Sequence, residues 1–213
     1  MTNLNIDIIK EVANIASGNA ISALADLTDK KLDIYIPNIS DIDLRDIPML
    51  MGDEEDIIVA IQQDILTGFK GSILFAIDEI SFKKLLFTIK SKYDECEYEC
   101  FENINILNLN EMESSIVKEI GNILTGSYLS AIATLIGSEV NPSVPKVAID
   151  MAGTILCDSV IKSNQIENNR LFVINTELYL EESRVNSQIF LLPEENEIEK
   201  LVKKIRTKYN LNG

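Results

Sequence analysis

No histidine occurs anywhere in the 213 residues. Its absence removes the Ser-His and Cys-His nucleophile pairs, the usual general base near neutral pH and the commonest metal ligand. Cysteine is scarce too: Cys96, Cys100 and Cys157 are an odd number in a mid-sized chain, which suits reduced thiols better than a disulfide framework. Cys96 and Cys100 have no second pair with which to complete a zinc site. Positive charge is short, with 19 Lys and Arg against 34 Asp and Glu and a net charge of −15. A phosphate-backbone partner is therefore excluded, because nucleic-acid binding rests on Lys and Arg neutralising phosphates. No apolar run reaches the roughly 18 to 20 residues that span a bilayer, so no membrane insertion is expected. The opening MTNLNIDIIKEV lacks the basic start and cleavage site of a secretion signal, and a cytoplasmic location is expected. Neither a Walker-type phosphate loop nor the Cys-x5-Arg loop of thiol phosphatases is present. Any chemistry must come from carboxylates, amides, hydroxyls or a partner.

What is there is a repeat. Residues 7–37 and 115–145 align without a gap, and 11 of the 31 positions are identical, the mark of a duplicated unit. Lys10 falls on Lys118, Glu11 on Glu119, Asn14 on Asn122, Gly18 on Gly126 and Pro37 on Pro145. Beyond the prolines the order continues more weakly. Alternating apolar runs predict strands near 57–65 and 71–77, then a helix after Asp78 whose apolar positions Ile80, Leu85, Leu86 and Ile89 recur at helical spacing. The runs near 171–180 and 187–193 and the helix pattern from Glu194 repeat that order. Each copy therefore reads helix, strand, two strands, helix. The first copy covers about residues 4–93 and the second about 111–209, with a polar linker over 94–110 and a loop over 162–170 inside the second. Neither copy has enough strands to close a core alone. A single α/β domain over 1–213 is expected, its two pseudo-twofold-related repeats sharing one mixed β-sheet flanked by helices. Gly18 and Gly126 each cost about 1 kcal/mol of helix propensity relative to Ala, so a close helix crossing is expected at them.

The two long helices carry the functional signal. At 3.6 residues per turn, Asp7, Glu11 and Asn14 fall within about 60° of one another, as do Ser115, Glu119 and Asn122. Beside each polar ridge runs an apolar stripe, Ile8, Val12 and Ile15 or Ile116, Ile120 and Ile123, that should face the core and turn the ridge outward. An arbitrary Glu-x-x-Asn on a helix is usually just a solvated face. Here Glu and Asn persist at equivalent sites of two diverged copies, each followed 23 positions later by a proline.

The spacings Asp7-x3-Glu11-x2-Asn14-x22-Pro37 and Ser115-x3-Glu119-x2-Asn122-x22-Pro145 resemble the paired signature of the CheC/CheX/FliY phosphatases of bacterial chemotaxis. The likeness covers nearly the whole chain, and two intact signatures resemble the two-site CheC type. The residues after each Asn-Ile, Ala16-Ser17 and Leu124-Thr125, depart from the family's frequent Gly-Ala. The resemblance implies a hydrolase for the aspartyl phosphate of a CheY-type response regulator in two-component signalling, with no covalent enzyme intermediate. Mg²⁺ would arrive with the regulator and no cofactor would be borne by the chain. Glu11, Asn14, Glu119 and Asn122 are then the catalytic candidates: Asn would orient the attacking water, and Glu would pair with the regulator's Lys. Asp7 and Ser115 either assist docking or simply cap and solvate the helix, and Pro37 and Pro145 end an extended segment beside the site, their part being shape rather than chemistry. A non-enzymatic adaptor of the same fold is the rival reading, binding the regulator or the receptor deamidase CheD. The stretch Asp150-Met151-Ala152-Gly153-Thr154 is similar to the Asp-x-Asp-Gly-Thr nucleophile loop of haloacid-dehalogenase-like phosphatases, but Ala152 stands where that loop needs its second Asp.

Overall fold

The computed structural model of the chain describes residues 3–43, 51–92, 101, 104–162, 170–194 and 196–209. Each copy opens on a 26-residue helix, α1 (Asn3–Thr28) and α3 (Glu111–Ile136), about 39 Å long at 1.5 Å per residue. The start of α3 is written into Asn110 and Glu113: the Asn110 side chain accepts from the Glu113 N–H at 2.9 Å, and the Glu113 carboxylate accepts from the Asn110 N–H at 2.9 Å. Two orphan donors of the first turn are thereby satisfied. Its end is set by Gly137, at φ 69°, in the left-handed region that glycine tolerates best.

Between the helices lie β1 (Leu32–Asp43), β2 (Ile57–Ile65), β3 (Gly71–Asp78) and α2 (Glu79–Lys90). After α3 come β4 (Lys146–Met151), α4 (Ala152–Lys162), β5 (Arg170–Leu180), β6 (Ser183–Pro193) and α5 (Glu197–Tyr209). The predicted order of each copy is present, with one addition. Helix α4 follows β4 directly, over residues to which the sequence pattern assigned no element. Cys96, Cys100, most of the proposed linker and positions 163–169 of the proposed loop lie outside the described residues.

The six strands form one sheet in the order β1-β5-β6-β3-β2-β4. Exchanging the copies turns this order into its own reverse. The registers agree with that exchange: Ile73 pairs with Leu191 and Ile77 with Ser187 across β3 and β6. Toward the edges Lys146 pairs with Gln62 and Asn38 with Asn175, so that Gln63 of β2 and Thr176 of β5 occupy equivalent places. All five pairings are antiparallel, where a mixed sheet was the expectation from sequence. The reason is geometric: a twofold axis normal to the sheet makes the equivalent strands β3 and β6 antiparallel, and each copy contributes a hairpin. The first strand of each copy pairs across, β1 with β5 and β4 with β2, so neither copy's sheet is complete without the other.

Helices α1, α2, α3 and α5 cover one face, with Ile9, Val12, Ala16 and Leu24 of α1 and Val117, Ile120, Leu129 and Ile132 of α3 packed on Ile61, Phe75, Ile174 and Ile189 of the strands. Each fully buried aliphatic side chain here contributes roughly 1.5–3 kcal/mol. On the opposite face α4 sets Ile155 and Leu156 against Ile58, Leu74 and Phe190. Two sequence expectations are corrected by the packing. Ile80 is 65% exposed, and Phe82 takes the buried place in α2 instead, because the helix turns its core face through Phe82, Leu85, Leu86 and Ile89. Gly18 and Gly126 mark no close crossing, since a Cβ built on either meets nothing within 4 Å. The glycine at a close approach is Gly121, whose Cβ would lie 2.4 Å from the Ile61 Cγ2 and 3.6 Å from the Pro145 Cβ.

Candidate functional site

The two polar ridges face outward as their spacing requires. On α1, Asp7, Glu11 and Asn14 are all exposed, while Ile8 and Val12 beside them are buried and Ile15 is half-buried. On α3, Ser115, Glu119 and Asn122 are exposed over buried Ile116 and Ile120 and half-buried Ile123. Leucine, valine and isoleucine at every third or fourth position fix which side of each helix meets the sheet. The ridge is what that packing leaves to solvent. Among the described residues, no hydrogen bond or ion pair engages the side chains of Asp7, Glu11, Asn14 or Glu119. The Ser115 hydroxyl donates to the Glu111 carbonyl at 2.9 Å, a contact within the helix.

Around the second ridge the surroundings are more built. After α3 the chain runs along β2: the Leu66 N–H donates to the Asn141 carbonyl, the Ser143 N–H to the Asp64 carbonyl, both at 2.8 Å, and the Asp64 N–H to the Ser143 hydroxyl at 3.0 Å. This brings Pro145, which immediately precedes β4, beside Gly121 and so next to Asn122. Gln63 points from β2 into the same place. Its Nε2 donates to the Ser143 carbonyl at 2.7 Å and reaches the Asn122 Oδ1 at 3.5 Å.

The first ridge has a different frame. Pro37 lies inside β1 and does not end it, at the point where the pairing with β5 shifts between Tyr35 and Asn38. A proline lacks the N–H for a regular ladder, and an edge strand with a local shift is where a sheet accommodates one. Its side chain is outside the described residues. Asp150 of the haloacid-dehalogenase-like stretch is exposed on edge strand β4, away from both ridges in the sequence and with its side chain turned back on the Met151 N–H at 2.8 Å.

Elsewhere among the described residues two carboxylates have an altered pKa, and both are structural. Burial pushes the Glu113 carboxyl up, but the Lys90 ammonium and the Asn110 N–H together hold it below its ordinary 4.5. Glu197 is held down in the same way, against its burial, by Lys200 and the Lys70 N–H. Tyr128 lies between Ser17 and Thr176, and burial pushes its phenol well above the usual range. Its hydroxyl reaches hydrogen-bonding geometry with neither.

Reading the sequence for motifs misses Gln63 and Gly121. The signal for Gln63 is a polar break in the helix-facing row Val59, Ile61, Gln63, Ile65, all buried. For Gly121 it is a glycine in the middle of a helix, directly before the ridge Asn.

A model of the CheC-like family matches residues 4–40 and 112–149, and each span contains one complete ridge with its proline. The chain is 27% identical over 198 residues to CheY-P phosphatase CheC of Bacillus subtilis, covering 92% of this chain and 91% of that protein. To the putative CheY-P phosphatase CheC1 of Halobacterium salinarum it is 20% identical over 186 residues, covering 87% and 88%. Among solved structures, FliY of Thermotoga maritima superposes with a TM-score of 0.71 at 19% identity over 98% of both chains. The FliM middle domain of H. pylori does so at 0.65 and 9% identity, over 96% of this chain and 99% of that one. These two structures share the fold. No helix among the described residues is long and apolar enough to cross a membrane.

Proposed function

Because the chain belongs to the CheC/CheX/FliY family, we propose that it hydrolyses the aspartyl phosphate of a CheY-type response regulator, using the helix ridges Glu11/Asn14 and Glu119/Asn122. The observation that carries this reading is the pair of ridges itself. Two Glu-x-x-Asn faces stand exposed at the equivalent place of two copies, inside both spans matched by the family model. Three of their four side chains, Glu11, Asn14 and Glu119, are engaged by no other described residue. A purely structural role would tie these groups to neighbours.

The chemistry is economical for the enzyme. The regulator's own Mg²⁺ and Lys neutralise the charge on the phosphoryl group, and the missing part is a water in line with the bond to be broken. An Asn amide carries a donor and an acceptor side by side. Its oxygen accepts from the water while its NH₂ donates to a phosphoryl oxygen, so one side chain holds both reacting groups. The water oxygen bonds to phosphorus as the P–O bond to aspartate breaks. The electron pair leaves on the aspartyl carboxylate, and the proton goes to the departing inorganic phosphate. Glu11 or Glu119, one turn away, pairs with the regulator's Lys and fixes the register in which the Asn meets the phosphorus. A carboxylate on a helix in an acidic chain can do this without a metal of its own.

Binding and turnover separate the enzyme from an adaptor of the same fold. Asn14→Ala/Asn122→Ala should bind the regulator activated by beryllium fluoride and Mg²⁺ with affinity close to that of the wild type, yet lose acceleration of phosphoryl loss. Wild-type protein that binds but never accelerates decay leaves the adaptor reading in place.

A further inference from the structure

The two ridges share their catalytic residue types but not what stands behind them. Behind Asn122 is Gln63, 1% exposed, contributed by the other copy through the crossed pairing of β2 with β4. Only a donor can face the Ser143 carbonyl, so the 2.7 Å contact fixes which end of the Gln63 amide is NH₂. Its second N–H then points at the Asn122 Oδ1, 3.5 Å away. The Gln63 Oε1 has no partner, a cost for a buried amide in a row of aliphatic residues. What this awkward residue does in return is to turn the Asn122 oxygen inward and its NH₂ outward. The contact is long, and a carbonyl oxygen has a second lone pair, so the oxygen stays open to water.

Gly121 belongs to the same device. With no Cβ, it lets α3 settle against Ile61, two residues before Gln63 on the same face of β2, close enough for the Gln63 amide to reach the helix. At the first ridge both features are absent. Ala13 stands where Gly121 does, and the place equivalent to Gln63 is Thr176, whose hydroxyl donates to the Ile174 carbonyl at 3.0 Å. Nothing among the described residues holds the Asn14 amide.

We propose that Gln63 is a positioning residue that presets the Asn122 amide, making the second ridge the faster of the two at the chemical step. This rests on the phosphatase reading for its kinetic consequence, but the orientation itself does not. Gln63→Met keeps the volume and removes the donor. In an Asn14→Ala background, where only the second ridge works, Gln63→Met should lower kcat about ten-fold, the scale of one hydrogen bond, with KM unchanged. In an Asn122→Ala background it should cause no further loss. In parallel, the side-chain NH₂ of Asn122, followed by ¹⁵N relaxation in the free protein, should be more ordered than that of Asn14 and fall to the Asn14 level in Gln63→Met.

Equal order of the two amides in the wild type, or unchanged Asn122 order in Gln63→Met, overturns the proposal. So does an equal loss of kcat in both backgrounds, which would make Gln63 a packing residue. If the wild type accelerates no decay at all, the phosphatase reading fails, and the relaxation measurement still decides the role of Gln63.

Discussion

The first ridge is a free-standing face of a helix and the second is a face with a backing. Asp7, Glu11 and Asn14 stand exposed with no described partner, and α1 presents a Cβ at Ala13 where α3 has Gly121. Ser115, Glu119 and Asn122 are equally exposed, yet Asn122 sits over Gln63 and beside Pro145. The two ridges carry the same Glu and Asn, while what stands behind them differs. The strand that backs the second ridge belongs to the first copy.

The largest effect should come from reversing the charge that both ridges share. Glu11→Lys together with Glu119→Lys places like charge against the regulator's Lys, and the regulator concentration needed for half-maximal turnover should rise by about 10²-fold or more. The single variants should divide that loss between the two sites. Unchanged turnover in the double variant would remove the proposed pairing.

Next come the glycines, which the two helices use differently. Gly121→Ala forces a Cβ into Ile61 and should destabilise the protein by about 1–3 kcal/mol. Gly18→Ala and Gly126→Ala meet open space on a helix and should stabilise by about 0.5–1 kcal/mol each. Thermal unfolding of the three variants reads this directly, and the signs should be opposite.

The smallest difference is one of pH. Glu113 sits in the first turn of α3, where α1 has Asn5 at the equivalent position. Its folded pKa is lowered from 4.5. A lowered folded pKa contributes stability that is present above 4.5 and is lost as pH falls below that value through the folded pKa. Hydrogen exchange should therefore show the start of α3 loosening below about pH 4.5, and Lys90→Met should weaken that pH dependence, leaving the share held by the Asn110 N–H. An α3 start that loosens identically with and without Lys90 would sink the assignment.

Much of this contrast was legible in the sequence, because it follows from period and repetition. Aliphatic residues at Ile8, Val12, Ile116 and Ile120 announce the buried side of each helix, and the ridges follow as its complement. The alternation in β2 and β3 and the turn between them announce a hairpin. The rest depended on long-range geometry. The antiparallel sheet follows from a twofold axis that no local pattern encodes, and the crossed pairing of β1 and β4 joins residues more than 80 positions apart. Ile80 shows where periodicity was misapplied: it stands five and six residues before Leu85 and Leu86, roughly 140° and 120° around the helix, whereas Phe82 at three and four residues shares their buried face. The propensity cost of Gly18 and Gly126 pointed to a close crossing that is not there, whereas the glycine that matters for packing, Gly121, stands where the other copy has Ala13.

The central claim is that the ridge amides act on the phosphoryl group. Its most direct test is the decay of a phosphorylated CheY-type regulator, in Mg²⁺, with wild type, Asn14→Ala, Asn122→Ala and the double variant. The account predicts that the wild type accelerates decay, that Asn122→Ala loses more than Asn14→Ala, and that the double variant loses about 10²-fold or more, the scale of a lost transition-state contact. Acceleration that survives in the double variant would show that the ridges are not the catalytic device.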